Sequence, residues 1–277
     1  LGLLIWEIEA GALGTPGFVW LDDGQVVGNV SLRRAAYAGG WMIGNVAVRP
    51  DWRGRGIGRA LLEAAMEQVG EQGGHWIGLE VREDNPIAVG LYQRLGFEAV
   101  GAVLELSRPA GLPWPQATAT RPLALRRGRA ADSDELYRLA CCGLEQLHRE
   151  TLEVRRAAYQ AGWEAWLANL LEGCREEWWV ADAENSLAAA VRVGSRWPGR
   201  WHQLDVLLCP ERLDDLGPRL AATGLAILAR RRPWETTTTL PGQRERLEPT
   251  FARAGFRRAR RLLQMRTTLG QRIEVRR

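Results

Sequence analysis

The chain contains no lysine. All 37 of its basic residues are arginine, set against 33 acids, and the net charge is +4 over 277 residues. Without lysine no phosphate loop can end in Gly-Lys-Ser/Thr, so a Walker-type nucleotide site is excluded. The arginines do not gather into a tail or stripe, because acidic residues are interspersed among them. A pI near 9.2 therefore does not argue for a nucleic-acid partner, and the uniform use of arginine fits a GC-rich coding sequence.

Cysteine is scarce. The four residues Cys141, Cys142, Cys174 and Cys209 form no C-x-x-C pair, and His75, His148 and His202 stand apart from one another. Neither a metal-ligand set nor a disulfide framework is legible, so free thiols and no metal are expected. Long apolar runs are also missing. The opening Leu1–Trp6 is too short to cross a bilayer, is broken by Glu7 and Glu9, and has no basic segment ahead of it. No membrane association is expected, and the expected location is cytoplasmic. The first residue is not methionine, which leaves room for residues upstream. The thirteen tryptophans are scattered through strand-like segments, as core and interface residues are, and self-association stays open.

An apolar content of 46% supports a real core, and 277 residues are comfortable for two domains. The most informative stretch runs from Val46 to Leu62. Val46, Ala47 and Val48 close a short β-branched strand. Arg53-Gly54-Arg55-Gly56-Ile57-Gly58-Arg59 follows, and an amphipathic helix opens behind it with Leu61, Leu62, Ala65, Met66 and Val69 on one face. Glycines let the backbone turn tightly with its N–H groups outward. The helix start adds unpaired donors and the positive end of its dipole, and three arginines add charge. That is a cradle for a pyrophosphate. The spacing does not match the G-x-G-x-x-G dinucleotide fingerprint.

A second block, Gly78-Leu79-Glu80-Val81-Arg82-Glu83-Asp84-Asn85, leads into a helix that ends Leu91-Tyr92-Gln93-Arg94-Leu95-Gly96-Phe97. The two blocks cover roughly residues 41–100 and together resemble the coenzyme A-binding core of the GNAT acetyltransferase superfamily. Within it, Asn45-Val46-Ala47-Val48 and Leu79-Glu80-Val81-Arg82 are most similar to bacterial enzymes that acetylate the N-terminus of a ribosomal protein. The resemblance implies an α/β fold with a mixed sheet and acetyl-CoA as co-substrate. It implies a cofactor site formed by Val46, Ala47, Val48, Arg53, Gly54, Arg55, Gly56, Ile57, Gly58 and Arg59, with Asn85 capping the next helix or touching pantetheine. It makes Tyr92 the general acid toward the sulfur and Glu80 the base, with Glu83 and Asp84 as rivals. The alternative base position of some family members falls near Met42. The acceptor would be a small-molecule amine or a peptide N-terminus.

Further along, Gly96-Phe97, Pro50 and Trp76 reappear as Gly255-Phe256, Pro210 and Trp234, about 160 positions on. Two tandem GNAT-like units are therefore expected. A catalytic one spans 1–108, a proline-bearing linker spans 109–121, and a degenerate one spans 122–277. In the second unit Phe251 stands for Tyr92 and Thr238 for Glu80. Leu213, Leu216 and Pro218 replace Arg53, Gly56 and Gly58, and Asp214 and Asp215 would repel phosphate. The family places a strand and two helices before the first hairpin, yet only about sixteen residues precede Gly17. Either residues lie upstream or the second unit supplies that wall. Two roles remain open: an N-acetyltransferase, or a non-catalytic acyl-CoA-binding regulatory module.

Overall fold

The computed structural model describes residues 2–5, 17–114, 123–184, 186–197 and 199–270. Most of the expected linker, residues 115–122, lies outside them, as do residues 6–16. The chain begins with β1 (Gly2–Ile5), β2 (Gly17–Asp22) and β3 (Gln25–Arg34). β2 and β3 are joined through Asp23 and Gly24 at φ 45° and 75°. Two successive positive φ values make a type I′ turn, whose twist matches that of the strands it connects. There follow β4 (Gly40–Val48), α1 (Ile57–Glu71), β5 (Trp76–Arg82), α2 (Pro86–Arg94) and β6 (Glu98–Arg108). α1 buries Leu61, Leu62, Ala65 and Val69 against the sheet together with Ile43, Ile77, Leu79 and Phe97. Gly96, at φ 84°, ends the second helix.

The later stretch of chain repeats this order behind a helical preface. A two-residue β7 (Arg126–Arg127) precedes α3 (Ser133–Cys141), α4 (Gln146–Thr151) and α5 (Trp163–Leu171). β8 (Cys174–Asp182), β9 (Leu187–Arg196), β10 (Trp201–Leu208), α6 (Leu213–Leu228), β11 (Glu235–Pro241), α7 (Glu248–Arg253) and β12 (Arg257–Thr268) follow. The repeat extends to ring geometry. Tyr92 and Phe97 meet edge-on at 5.9 Å, and Phe251 and Phe256 do the same at 5.2 Å.

Contacts gather into two compact units. Unit 1 comprises Leu1–Gly101, Glu150–Glu153 and Leu263–Arg277; unit 2 comprises Ala102–Arg149 and Val154–Leu262. The units therefore do not coincide with the contiguous spans 1–108 and 122–277. Unit 1 holds β1-β2-β3-β4-β5 in that spatial order and completes its sheet with the final residues of β12. Unit 2 holds the order β6-β11-β10-β9-β8-β7, with β6 antiparallel to β11 along Val103–Arg108. The expected linker also starts as ordered chain. Buried Arg108 donates to the carbonyls of Ala254, Leu112 and Pro113, and its guanidinium lies 4.4 Å from the Trp114 ring centroid.

The helical preface is broken into short pieces at glycines. α3 and α4 are parted at Gly143, φ 76°, where a Cβ would sit 2.4 Å from Pro210. Between α4 and α5 the chain makes a short 3₁₀ turn, and α5 starts after Gly162 at φ 108°.

The first break brings Cys142 beside Cys209, and the two form a disulfide with Cα atoms 5.1 Å apart, within the range such bonds require. This corrects the expectation of four free thiols; Cys141 and Cys174 are the free ones. Cys142, Cys209 and Glu211 are the candidate metal-ligand group among the described residues. Sulfurs bonded to each other do not ligate, which leaves the group a single carboxylate. A thiol titration of the denatured, unreduced chain should find two reactive thiols, rising to four after reduction. Four before reduction would contradict the bond.

Candidate functional site

In unit 1, β4 and β5 run parallel and pair only as far as Ile43 opposite Leu79. Beyond that point Gly44–Val48 has no partner on the β5 side. The cause lies on the other edge of β4. Ser31 of β3 faces Gly44 and Asn29 faces Ala47, so Asn45 and Val46 together oppose Val30. Asn45 takes φ 50°, and its carbonyl accepts a 2.7 Å bond from the Asn29 amide. This is a β-bulge, and bulges bend the strand that carries them. The bend swings Val46, Ala47 and Val48 away from β5 and leaves a strand edge in search of a partner.

The loop beyond that edge is open. A 3₁₀ turn at Pro50–Trp52 leads to Gly54 and Gly56, at φ 76° and 80°. A Cβ at either glycine would meet nothing within 4 Å. Gly56 is the N-cap of α1 and supplies no side-chain acceptor, and the first turn holds no acidic residue. The donors of Ile57, Gly58 and Arg59 therefore await an anion. Gly58 departs from expectation. It is a helical residue with ordinary φ, and a Cβ there would rest in van der Waals contact with Leu91 and Val48.

The three arginines frame the loop. Arg53 donates to the Val48 carbonyl at 3.1 Å. Arg55 donates to the Asp51 carbonyl at 3.1 Å and lies 4.4 Å from the Trp52 ring centroid. Arg59 forms an exposed i,i+4 pair with Glu63, a contact of small energy that phosphate could displace. Backbone, helix end and charge thus fit the diphosphate end of a coenzyme A molecule.

Glu80 stands on β5 past the last pair with β4 and is exposed. Tyr92 is buried in the helix beside it, and burial pushes its phenol above the ordinary value of 10, so the hydroxyl keeps its proton at neutral pH. Asn85 caps that helix, accepting from the Ala88 N–H at 3.2 Å. Of the rival carboxylates, Asp84 is tied to Arg82 by two bonds, which hold its pKa below the usual range.

Sequence reading missed the side chains that arrive from far along the chain. Gln264, fully buried on β12, donates from Nε2 to Glu80 Oε1 at 3.2 Å, and its own Oε1 is buried without a partner. Glu153 receives Arg33 at 2.5 Å and the Ala36 N–H at 2.8 Å. Arg266 pairs with Glu150 at 2.7 Å, 3.9 Å from the Trp76 ring centroid. Thr151 reaches Gly78, where a Cβ would lie 3.1 Å from its methyl. No local pattern marks these partners.

Unit 2 has the same diverging strands. β10 and β11 pair only through Gln203 opposite Thr237. Here the gap is filled. Arg244 is almost wholly buried and donates to the carbonyl of Leu208 at the end of β10, and to those of Leu139, Ala140 and Cys142. Burial pulls its pKa down to about 10, which still leaves it charged at neutral pH. The loop Cys209-Pro210-Glu211-Arg212 lacks glycine. The first turn of α6 carries Asp214 and Asp215, paired with Arg246 and Arg212.

The profile of the GNAT acetyltransferase family matches residues 4–97. Over 115 residues the chain is 36% identical to a candidate ribosomal protein bS18-alanine N-acetyltransferase of Bacillus subtilis, a stretch covering 74% of that protein and 35% of this chain. The chain belongs to the GNAT acetyltransferase family. It is 45% identical over 53 residues to the ribosomal protein bS18-alanine N-acetyltransferase of Escherichia coli, covering 19% of this chain and 36% of that protein. It is 34% identical over 100 residues to the mycothiol acetyltransferase of Thermobifida fusca, covering 33% and 27% respectively. The chain thus spans about a third of these last two relatives.

Among solved structures, a GCN5-related N-acetyltransferase from Sphaerobacter thermophilus aligns with 94% of this chain and 83% of its own, at TM-score 0.64 and 16% identity. A tandem GNAT protein from the clavulanic acid biosynthesis pathway aligns with 93% and 83%, at TM-score 0.57 and 19% identity. The fold is a mixed α/β arrangement of two tandem GNAT-like units. No helix among the described residues is long and apolar enough to cross a membrane.

Calorimetry with acetyl-CoA should give a stoichiometry near one per chain. Gly56→Glu should abolish the binding, because it fills the cradle, strains a positive-φ position and sets a carboxylate against phosphate. Asp214→Arg with Asp215→Arg should create no second site. Two bound molecules per chain, or binding that survives the Gly56 change, would contradict the assignment.

Proposed function

We propose that unit 1 is an acetyl-CoA-dependent N-acetyltransferase acting on a primary amine. The observation that carries the proposal is the unpartnered edge of β4 that runs on into an open glycine cradle, with Glu80 on the neighbouring strand and Tyr92 on the helix after it. Bound acetyl-CoA supplies an activated thioester acyl group. The backbone of Val46–Val48 binds the pantetheine arm as an added strand. N–H groups from Gly54 to Arg59 bind the diphosphate, assisted by Arg53, Arg55 and Arg59.

The acceptor amine arrives as an ammonium and must lose a proton before it attacks. Glu80 takes that proton, directly or through a water, and Gln264 fixes the carboxylate's orientation by donating to one of its oxygens. Tyr92 holds its proton on Oη and gives it to the departing thiolate. Residues Glu150–Glu153 supply the acceptor-side wall. The similarity to enzymes named for the bS18 alanine N-terminus supports a peptide α-amino group as the sharper choice of acceptor.

The test is thiol release from acetyl-CoA over a panel of amines, including peptides with free and blocked N-termini. Tyr92→Phe should lower kcat by about 10²-fold or more while acetyl-CoA binding is retained. In the wild type, loss of the acid should be felt only above pH 10, because the folded Tyr92 pKa lies above its unfolded value. Gln264→Ala should lower kcat with little change in the acetyl-CoA KM. An unimpaired Phe variant would overturn the role of Tyr92. Acetyl-CoA binding with no turnover on any amine would replace the enzyme by the regulatory module.

A further inference from the structure

A row of polar side chains crosses the sheet of unit 2 where β10 and β11 begin. Arg175 faces Ser195, Ser195 faces His202, and His202 faces Thr236. The next row on the same face, Glu177–Val193–Leu204, already enters the apolar cluster under α6. The chain that leaves α6 reaches the polar row and completes its hydrogen bonds. His202 Nε2 donates to the Arg232 carbonyl at 2.8 Å, and its Nδ1 accepts from Ser195 Oγ at 2.8 Å. Ser195 in turn accepts from Arg231 Nη1 at 2.6 Å. Burial, joined by the charge of Arg231, holds the His202 pKa below its usual range, so the ring is neutral at pH 7.

Hydrogen bonds close here, but charge does not. A cavity of about 540 Å³ opens over this row, lined by Arg175, Arg230, Arg231 and Arg232 and by Trp197 and Trp234. Among the described residues no acidic side chain lines it. The one carboxylate these arginines reach is Glu177, which receives Arg231 at 3.1 Å and Arg175 at 2.8 Å, with Arg127 at 3.5 Å. Three guanidiniums thus share a single anion. Burial and the charges of Arg175 and Arg127 draw Arg231 below the usual arginine value in spite of Glu177.

Arg230 and Arg232 are exposed, and their side chains have no hydrogen bond or ion pair among the described residues. The helix end does not account for them. No basic residue stands in the last turn of α6, and Arg231 directs its donors to Ser195 and Glu177. A cleft lined by one sign of charge concentrates ligands of the other sign. Its volume is of the order that a small organic molecule fills.

We infer that this cavity of unit 2 binds a small aromatic oxyanion, a flat ring system bearing a carboxylate or a phosphate. The anionic group sits against Arg230 and Arg232, whose planar forks match either group with two parallel bonds. The ring lies along Trp197, which is 46% exposed, and along Trp234. Stacking on His202, with ring centroids 5.1 Å apart, holds Trp234 in place. The site lies at the start of β10, away from the strand end at Leu208 that Arg244 fills, and it needs no acetyl-CoA.

The probes are 1-naphthyl phosphate and 1-naphthoate, titrated calorimetrically into the full chain carrying Gly56→Glu, so that the anion cradle of unit 1 does not contribute. Wild type saturated with acetyl-CoA is the second background. Inorganic phosphate presents the charge without the ring, and 1-naphthamide the ring without the charge. One equivalent of a naphthyl anion should bind, the tighter of the two naming the anionic group. Inorganic phosphate and the amide should each bind at least tenfold more weakly. Arg230→Gln with Arg232→Gln, at exposed positions, should weaken the anion about tenfold or more, the loss of a charged hydrogen bond, with the melting temperature kept. Trp197→Ala should weaken it several-fold. Arg253→Gln with Arg257→Gln removes the same charge at exposed positions outside the cavity and should leave the affinity unchanged. Absence of saturable binding, equal affinity for the amide or for inorganic phosphate, or an equal loss in the two double variants would overturn the inference.

Discussion

The divergence of β4 from β5 after Ile43 and Leu79 is the constraint on which the rest of unit 1 depends. Buried backbone donors and acceptors require partners, and a strand that leaves its neighbour exposes a row of them. The bulge at Asn45 imposes the departure, and the Asn29 amide fixes the bulge by holding the Asn45 carbonyl. Once β4 has bent away, its end, the glycine loop and the start of α1 face one opening. Glu80 stands on the other strand of that opening and Tyr92 on the helix that follows it. A single extra residue in one strand thereby frees a peptide-like edge that runs on into the glycine loop.

Unit 2 carries the same topology to a different end. Its central strands separate after Gln203 and Thr237, yet the exposed carbonyl at Leu208 is taken by Arg244 from within the unit. The helix that should present bare N–H groups opens instead with Asp214 and Asp215. These carboxylates satisfy the helix dipole from inside the chain and leave nothing for a phosphate to do. Arginine serves the strand end in both units, Arg53 at Val48 and Arg244 at Leu208; what separates them is the loop and helix start, open glycines with no acid in one and Asp214 and Asp215 without glycine in the other. The disulfide between Cys142 and Cys209 lies beside that filled gap and ties the end of α3 to the strand.

Local chemistry was legible in the chain. Asp23-Gly24 dictates its turn, Gly96 its helix end and Asn85 its cap, because each acts within a few residues of itself. The repeat was legible too, since Phe251 and Phe256 reproduce the ring contact of Tyr92 and Phe97. Long-range partners were not. Gln264 meets Glu80, Glu153 meets Arg33, and Arg244 meets Leu208 only after the sheet is assembled, and nothing in spacing or composition announces such pairs. The break between α3 and α4 has a related cause. Periodicity through Leu136, Leu139, Leu144 and Leu147 is real, but Gly143 turns the chain to clear Pro210, a residue far along the sequence.

Hydrogen–deuterium exchange with and without acetyl-CoA tests the central claim most directly, because it reads backbone amides in both units at once. Amides of residues 44–48 and 54–60 should exchange more slowly when acetyl-CoA is present, and those of residues 204–213 should not change. Protection at 204–213, or none at 54–60, would show that the cradle and the diverging strand of unit 1 are not where the cofactor binds.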